Sequence, residues 1–184
     1  MTASRDLLSA DERAELIRLA RESIGSFFGQ VPEPTPRFLT SALLAHTGAF
    51  VSVYVLEELR GCVGHIFPVE PLHLTVAVTA RAAAFEDHRF VPLEAREWPL
   101  LTIEISRLTS LEPASPESIV PGRHGLYVAQ GVARGLLLPQ VASRYGWTRE
   151  EFLHATCRKA GLPADAWQDP RTEILVFEAD VFRG

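Results

Sequence analysis

The stretch from Ala49 to Phe67 constrains the fold more than any other part of the chain, because its apolar period is two. Val51, Val53 and Val55 alternate with Phe50, Ser52 and Tyr54, the pattern of a strand apolar on one face and mixed on the other. Glu57-Glu58 suits a turn, and Leu59 to Phe67 is expected to return as the second arm of a β-hairpin. On a regular strand Arg60, Cys62 and Ile66 share one face of that arm, and Leu59, Val63 and Phe67 the other. A local hairpin pairs its strands antiparallel, so an α+β fold with mainly antiparallel sheet is expected rather than a βαβ repeat.

Helical spacing appears on both sides of the hairpin. In "SADERAELIRLARESIGSFFG", Ser9 and Glu12 form a capping box, Ile17, Ala20, Ile24 and Phe27 share a face, and Gly29 is a natural stop. "PLHLTVAVTARAAAF" places Pro71 at a first helical position and Leu72, Val76, Ala80 and Ala83 on one face. "PLLTIEISRLTSL" alternates again, and "LYVAQGVARGLLLPQ" has the shape of a second hairpin turning near Gln130-Gly131. Thr148 and Glu151 cap a further helix that ends at Gly161, and "RTEILVFEADVF" reads as one closing strand.

Composition removes several function classes. The net charge is −5, from 18 Lys and Arg against 23 Asp and Glu, a poor footprint for duplex nucleic acid. No apolar run reaches the ~18 residues of a membrane span, and the N-terminus lacks the pattern of a signal peptide, so a cytoplasmic location is expected. Two cysteines, Cys62 and Cys157, make no disulfide framework, and no zinc-type spacing is present. Cys62 and His65 are three apart, so on a regular strand they face opposite sides, and shared chemistry would need a bulge at Gly64. No metal and no cofactor is expected.

The candidate chemistry centres on "LRGCVGHIF", Leu59 to Phe67. Arg60 stands two residues from Cys62, and a nearby guanidinium favours thiolate over thiol. Gly61 and Gly64 remove side chains on either side, so a backbone or a ligand can come close. The competing reading is a small buried thiol beside a bulge. "PGRHG" offers Arg123 for an anion and His124 as a base toward a thiol, against the commoner use of such a stretch as a surface turn. Gln140, directly after Pro139, is placed to line a cleft. "FEDHRF" gathers Glu86, Asp87, His88 and Arg89, some of them expected in an ion pair. Cys157 shares helical spacing with Leu153 and Ala160 and reads as core.

The motifs "LRGCVG", "RFVPL", "LTIEIS", "GRHGL", "GLLLPQVA" and "W…EFL..TC.KAGLP..AW", in that order, resemble the AMMECR family, whose prokaryotic members are called AmmeMemoRadiSam system protein A. The family usually has Asp-Pro-Arg-Phe where this chain has Asp87-His88-Arg89-Phe90, which leaves Asp87 and Arg89 as the matching pair. The resemblance covers nearly the whole chain and implies one AMMECR domain over residues 1–184. Its two lobes are a larger one from both chain ends and a smaller inserted one, with a cleft between them. It also implies company, a Memo-like protein and a radical SAM enzyme, but no settled reaction. Arg60, Gly61, Cys62 and Gly64 are the residues it would place in the cleft, with Arg123, His124 and Gln140 as further contributors.

Three readings follow. In the first the chain is an enzyme or catalytic subunit using Cys62 as nucleophile or redox thiol, with His124 as base. In the second it is a binding module for a small anionic or nucleotide-like ligand or for a partner protein. Nucleic-acid binding through a local basic cleft is third, given the acidic balance.

Overall fold

The computed structural model describes residues 7–184, which gather into two units. One comprises the chain up to Leu108 together with Asp180–Gly184, and the other is the intervening Thr109–Ala179. A larger lobe drawn from both chain ends, with a smaller one inserted, is thus what is found.

In the first unit, helix α1 (Ala10–Phe27) starts at its expected box: Ser9 Oγ accepts the Glu12 N–H at 3.2 Å, and the Glu12 carboxylate accepts the Ser9 N–H at 2.7 Å. A short helix α2 (Ser41–Leu44) follows, capped by Thr40. Strands β1 (Ala49–Val55) and β2 (Glu58–His65) form the expected hairpin. Its turn is Leu56-Glu57, one residue earlier than Glu57-Glu58, and both turn residues take positive φ, 48° and 69°. Two left-handed residues match the twist of the flanking strands, although a leucine there is costly. Helix α3 (Leu72–Phe85) has Pro71 as its N-cap. With β3 (Leu101–Leu108) and β8 (Ala179–Arg183) the sheet order is β2-β1-β3-β8. Ala49, Val51, Val53, Ile103 and Ile105 turn one face of this sheet toward Leu16, Ala20, Ile24, Leu72, Val76 and Ala80, all fully buried.

The second unit has β4 (Glu112–Pro113), β5 (Gly125–Gln130), β6 (Ala133–Leu137) and β7 (Glu173–Phe177) in the order β4-β7-β5-β6. The β5–β6 turn is Gly131-Val132, where Gly131 has φ +61°. Helix α4 (Pro139–Tyr145) was not foreseen, because Pro139 reads equally as the end of a strand and as a first helical residue. Helix α5 (Arg149–Lys159) carries the expected Thr148–Glu151 box, and Cys157 on it is fully buried. Phe152, Leu153, Leu126 and Ile174 fill this core. "RTEILVFEADVF" proves to be two strands rather than one. β7 and β8 part at Glu178 and join different sheets.

Candidate functional site

Cys62 lies on β2, the edge strand of the first sheet, with its thiol free and half-buried. The register pairs Cys62 with Ser52, so its side chain shares the face of Phe50, Ser52 and Tyr54, away from α1 and α3. The strand is regular at Gly64, and Cys62 and His65 face opposite sides. The bulge falls instead at Arg60: Val53 pairs with Gly61 and Tyr54 with Leu59, leaving Arg60 as the extra residue.

That bulge re-aims the guanidinium. Arg60 is ion-paired with Glu97 and donates to the Val91 carbonyl at 3.3 Å. The Glu97 carboxyl is drawn below its ordinary value, against its burial, by the Glu94 N–H and by Arg60. Arg60 is therefore committed to Glu97 and Val91, and its charge is already compensated there. The guanidinium beside Cys62 belongs to Arg89, which donates to the Cys62 carbonyl oxygen at 3.0 Å.

Asp87 completes the arrangement. Its carboxylate accepts the Cys62 N–H at 2.9 Å and is paired with Arg89 at 2.7 Å. Asp87 is 6% exposed and Arg89 is 66% exposed. The Arg89 guanidinium and the N–H of Cys62 hold the Asp87 carboxyl far below the usual carboxylate range. Aspartate and arginine so satisfy both backbone groups that an edge residue presents outward, in place of a further strand. The ion pair expected in "FEDHRF" is real, while Glu86 and His88 are exposed.

The two glycines are filled by this chain's own atoms. A Cβ on Gly61 would lie 1.8 Å from the Ala83 carbonyl oxygen, so the position exists to let α3 approach β2. A Cβ on Gly64 would lie 2.1 Å from the ring of Phe50, its cross-strand partner. An aromatic ring laid over a glycine restores the packing that the glycine lacks.

Arg123, His124 and Gln140 belong to the second unit. Arg123 is paired with Glu178 at 2.8 Å. His124 Nδ1 accepts the Val120 N–H at 3.2 Å, and burial followed by the charge of Arg123 pushes its pKa down. A neutral ring that accepts at Nδ1 presents Nε2–H, a donor rather than a base. Gln140 is exposed on the first turn of α4.

Two residues on the Cys62 face were not singled out by sequence. Ser52 pairs with Cys62 on one side and Glu104 on the other, so Cys62, Ser52 and Glu104 form a row across three strands. Burial pushes the Tyr54 phenol up, with the charges of Glu104 and Cys62 acting the same way. Alternation marks all of these as members of mixed faces, but register alone brings them together.

A family model for AMMECR1 matches residues 17–182. A protein of Thermofilum pendens is 42% identical over 95% of this chain and 91% of its own length, and one of Methanothermobacter thermautotrophicus is 41% identical over 95% of each. The crystal structure of uncharacterized protein PH0010 from Pyrococcus horikoshii is similar with a TM-score of 0.82 and 38% identity, covering 91% of this chain and 89% of that one.

Proposed function

The chain belongs to the AMMECR1 family, and on that premise we propose that it acts through the thiol of Cys62, in company with a Memo-like protein and a radical SAM enzyme. The observation that carries the thiol reading is the double clamp on Cys62, whose N–H and C=O are held by Asp87 and Arg89. A group held in one orientation before it meets a reactant needs no ordering at the encounter. Once its proton has passed to water, the thiolate forms a bond to an electrophilic carbon of the substrate as that carbon's bond to its leaving group breaks. The leaving group departs with the electron pair and takes up a proton from water. The partners rest on the resemblance of six ordered motifs to proteins that keep such company.

One observation favours the second reading, a binding module. On β1 and β3 the side chains sharing the Cys62 face are Phe50, Ser52, Tyr54, Thr102, Glu104 and Ser106, none of which is a base suited to neutral pH.

Native alkylation by iodoacetamide, followed per peptide, tests the reading. Cys62 is expected to react at or above the rate of free cysteine at pH 7.5, and protection equal to that of buried Cys157 rejects it. Cys62→Ser then separates the alternatives. If the substitution leaves the activity of a complex reconstituted with the Memo-like and radical SAM proteins unchanged, the chain is a binding module.

A further inference from the structure

We propose that the free edge of β6, in the second unit, binds an extended acidic segment of a partner protein as an added strand. The hairpin register sets which backbone groups face outward. Gln130 and Ala133 flank the two-residue turn and so form a hydrogen-bonded pair, as do Val128 with Gly135 and Leu126 with Leu137. Arg134 and Leu136, between them, therefore turn their N–H and C=O groups away from β5. No hydrogen bond among the described residues claims any of these groups, and β6 is the last strand of its sheet. Backbone groups left open in this way are a template for another strand.

The other edges differ. On β2 the outward groups of Cys62 are held by Asp87 and Arg89. β4 has only two residues, and since the Ala114 N–H donates inward to Ile174, the outward position falls to Pro113, which has no N–H. β8 has its charges paired, Asp180 with Arg13 and Arg183 with Glu57. β6 has neither clamp nor proline, and its one charged residue, Arg134, is exposed and forms no ion pair among the described residues. By register the carboxylate on its row is Glu173, beyond Ala129. Two strands separate them, about 10 Å, where salt screens the attraction.

Charge selects the occupant. The last turn of α5 comes down on this strand, since a Cβ on Gly135 would lie 2.4 Å from the Ala160 nitrogen. Arg158 and Lys159, just before Ala160, are exposed and form no ion pair among the described residues. Asp165 and the negative end of the helix offset part of their charge. Gly135 faces α5, so Arg134 projects from the opposite face, and positive charge flanks the edge on both sides. An extended segment carrying aspartate or glutamate at alternate positions answers that charge while its backbone takes up the open groups.

Labelled, capped peptides of about six residues, alternating valine with glutamate or valine with lysine, test this on the full chain by fluorescence anisotropy. At low salt the glutamate peptide should bind about tenfold tighter than the lysine peptide, and the gap should narrow as salt is added. Methylating the backbone nitrogens of the glutamate peptide keeps its charge but removes its donors, and should weaken it about tenfold. Arg134→Glu, at an exposed position, should bring the two unmethylated peptides within about threefold of each other. Amide exchange at Arg134 and Leu136 should slow when the glutamate peptide binds. No binding at about 1 mM peptide, equal binding of the two charges, or undiminished binding after methylation overturns the proposal. So does slowed exchange confined to residues outside β6. A dimer by light scattering, with these two amides protected before any peptide is added, overturns it too and assigns the edge to a second copy.

Discussion

Asp87 accepts the backbone N–H of Cys62 at 2.9 Å across 25 residues of sequence, and so closes an edge that no strand covers. Removing that acceptor leaves a donor without its partner and Arg89 without its carboxylate. Asp87→Ala is expected to lower stability by about 2 kcal/mol, and Arg89→Ala, whose head is in water, by less than about 1 kcal/mol. Urea unfolding monitored by fluorescence measures both.

The same carboxyl makes the first unit acid-sensitive. Its folded pKa is depressed below the ordinary value of 3.8, so its contribution is present above that value and is lost as pH falls below it toward the folded pKa. Below about pH 4 the unfolding midpoint of wild type should drop more steeply than that of Asp87→Asn. Parallel slopes would remove Asp87 from the acid response.

His124 gives a second window with its own sign. Its pKa is lowered from 6.5, so the unfolded chain binds the proton more readily, and stability declines as pH falls through 6.5 toward the folded value. The imidazole resonance should titrate with a midpoint below 6.5 by NMR. His124→Gln should flatten the stability profile over that range.

Two guanidinium groups near Cys62 differ in what they do for it. Arg60 is committed to Glu97, whereas Arg89 touches the Cys62 carbonyl. Arg60→Gln should leave the native alkylation rate of Cys62 within about twofold, while Arg89→Gln, which loosens the strand edge, should alter it by more. Equal effects would contradict the assignment.

Gly61→Ala places a methyl group 1.8 Å from the Ala83 carbonyl oxygen, where backbone cannot yield cheaply. The cost should reach about 3 kcal/mol. At Gly131 a Cβ meets nothing within 4 Å, and the only penalty is its φ of +61°. Gly131→Ala should cost about 1 kcal/mol, and thermal melts of the two variants compare them directly.

Local chemistry was legible where it is self-contained. The Ser9–Glu12 and Thr148–Glu151 boxes, the alternation in β1 and β3, and the buried position of Cys157 all follow from residues a few places apart. The bulge at Arg60 was not, because a two-against-one pairing is a property of two strands, and neither carries a mark of it alone. β7 and β8 looked continuous because Glu178 interrupts their alternation without a proline or glycine to signal the break. The row of side chains across three strands was the least legible. Ser52 and Glu104 sit on different strands from Cys62, and only antiparallel register joins them. The Asp-x-Arg spacing was the one available hint, since its two matching residues turned out to hold Cys62 from both sides.

The break at Glu178 has a consequence for how the chain is made. Thr109 N–H donates to the Glu178 carbonyl at 2.9 Å, and Thr109 Oγ1 accepts the Glu178 N–H at 2.8 Å, so entry and exit of the inserted unit are buttoned together. On the ribosome, β3 emerges with an open flank and must wait for the whole insert before β8 arrives to cover it. A nascent chain stalled between those two points would expose the margin of its principal sheet, and a chaperone would find it there.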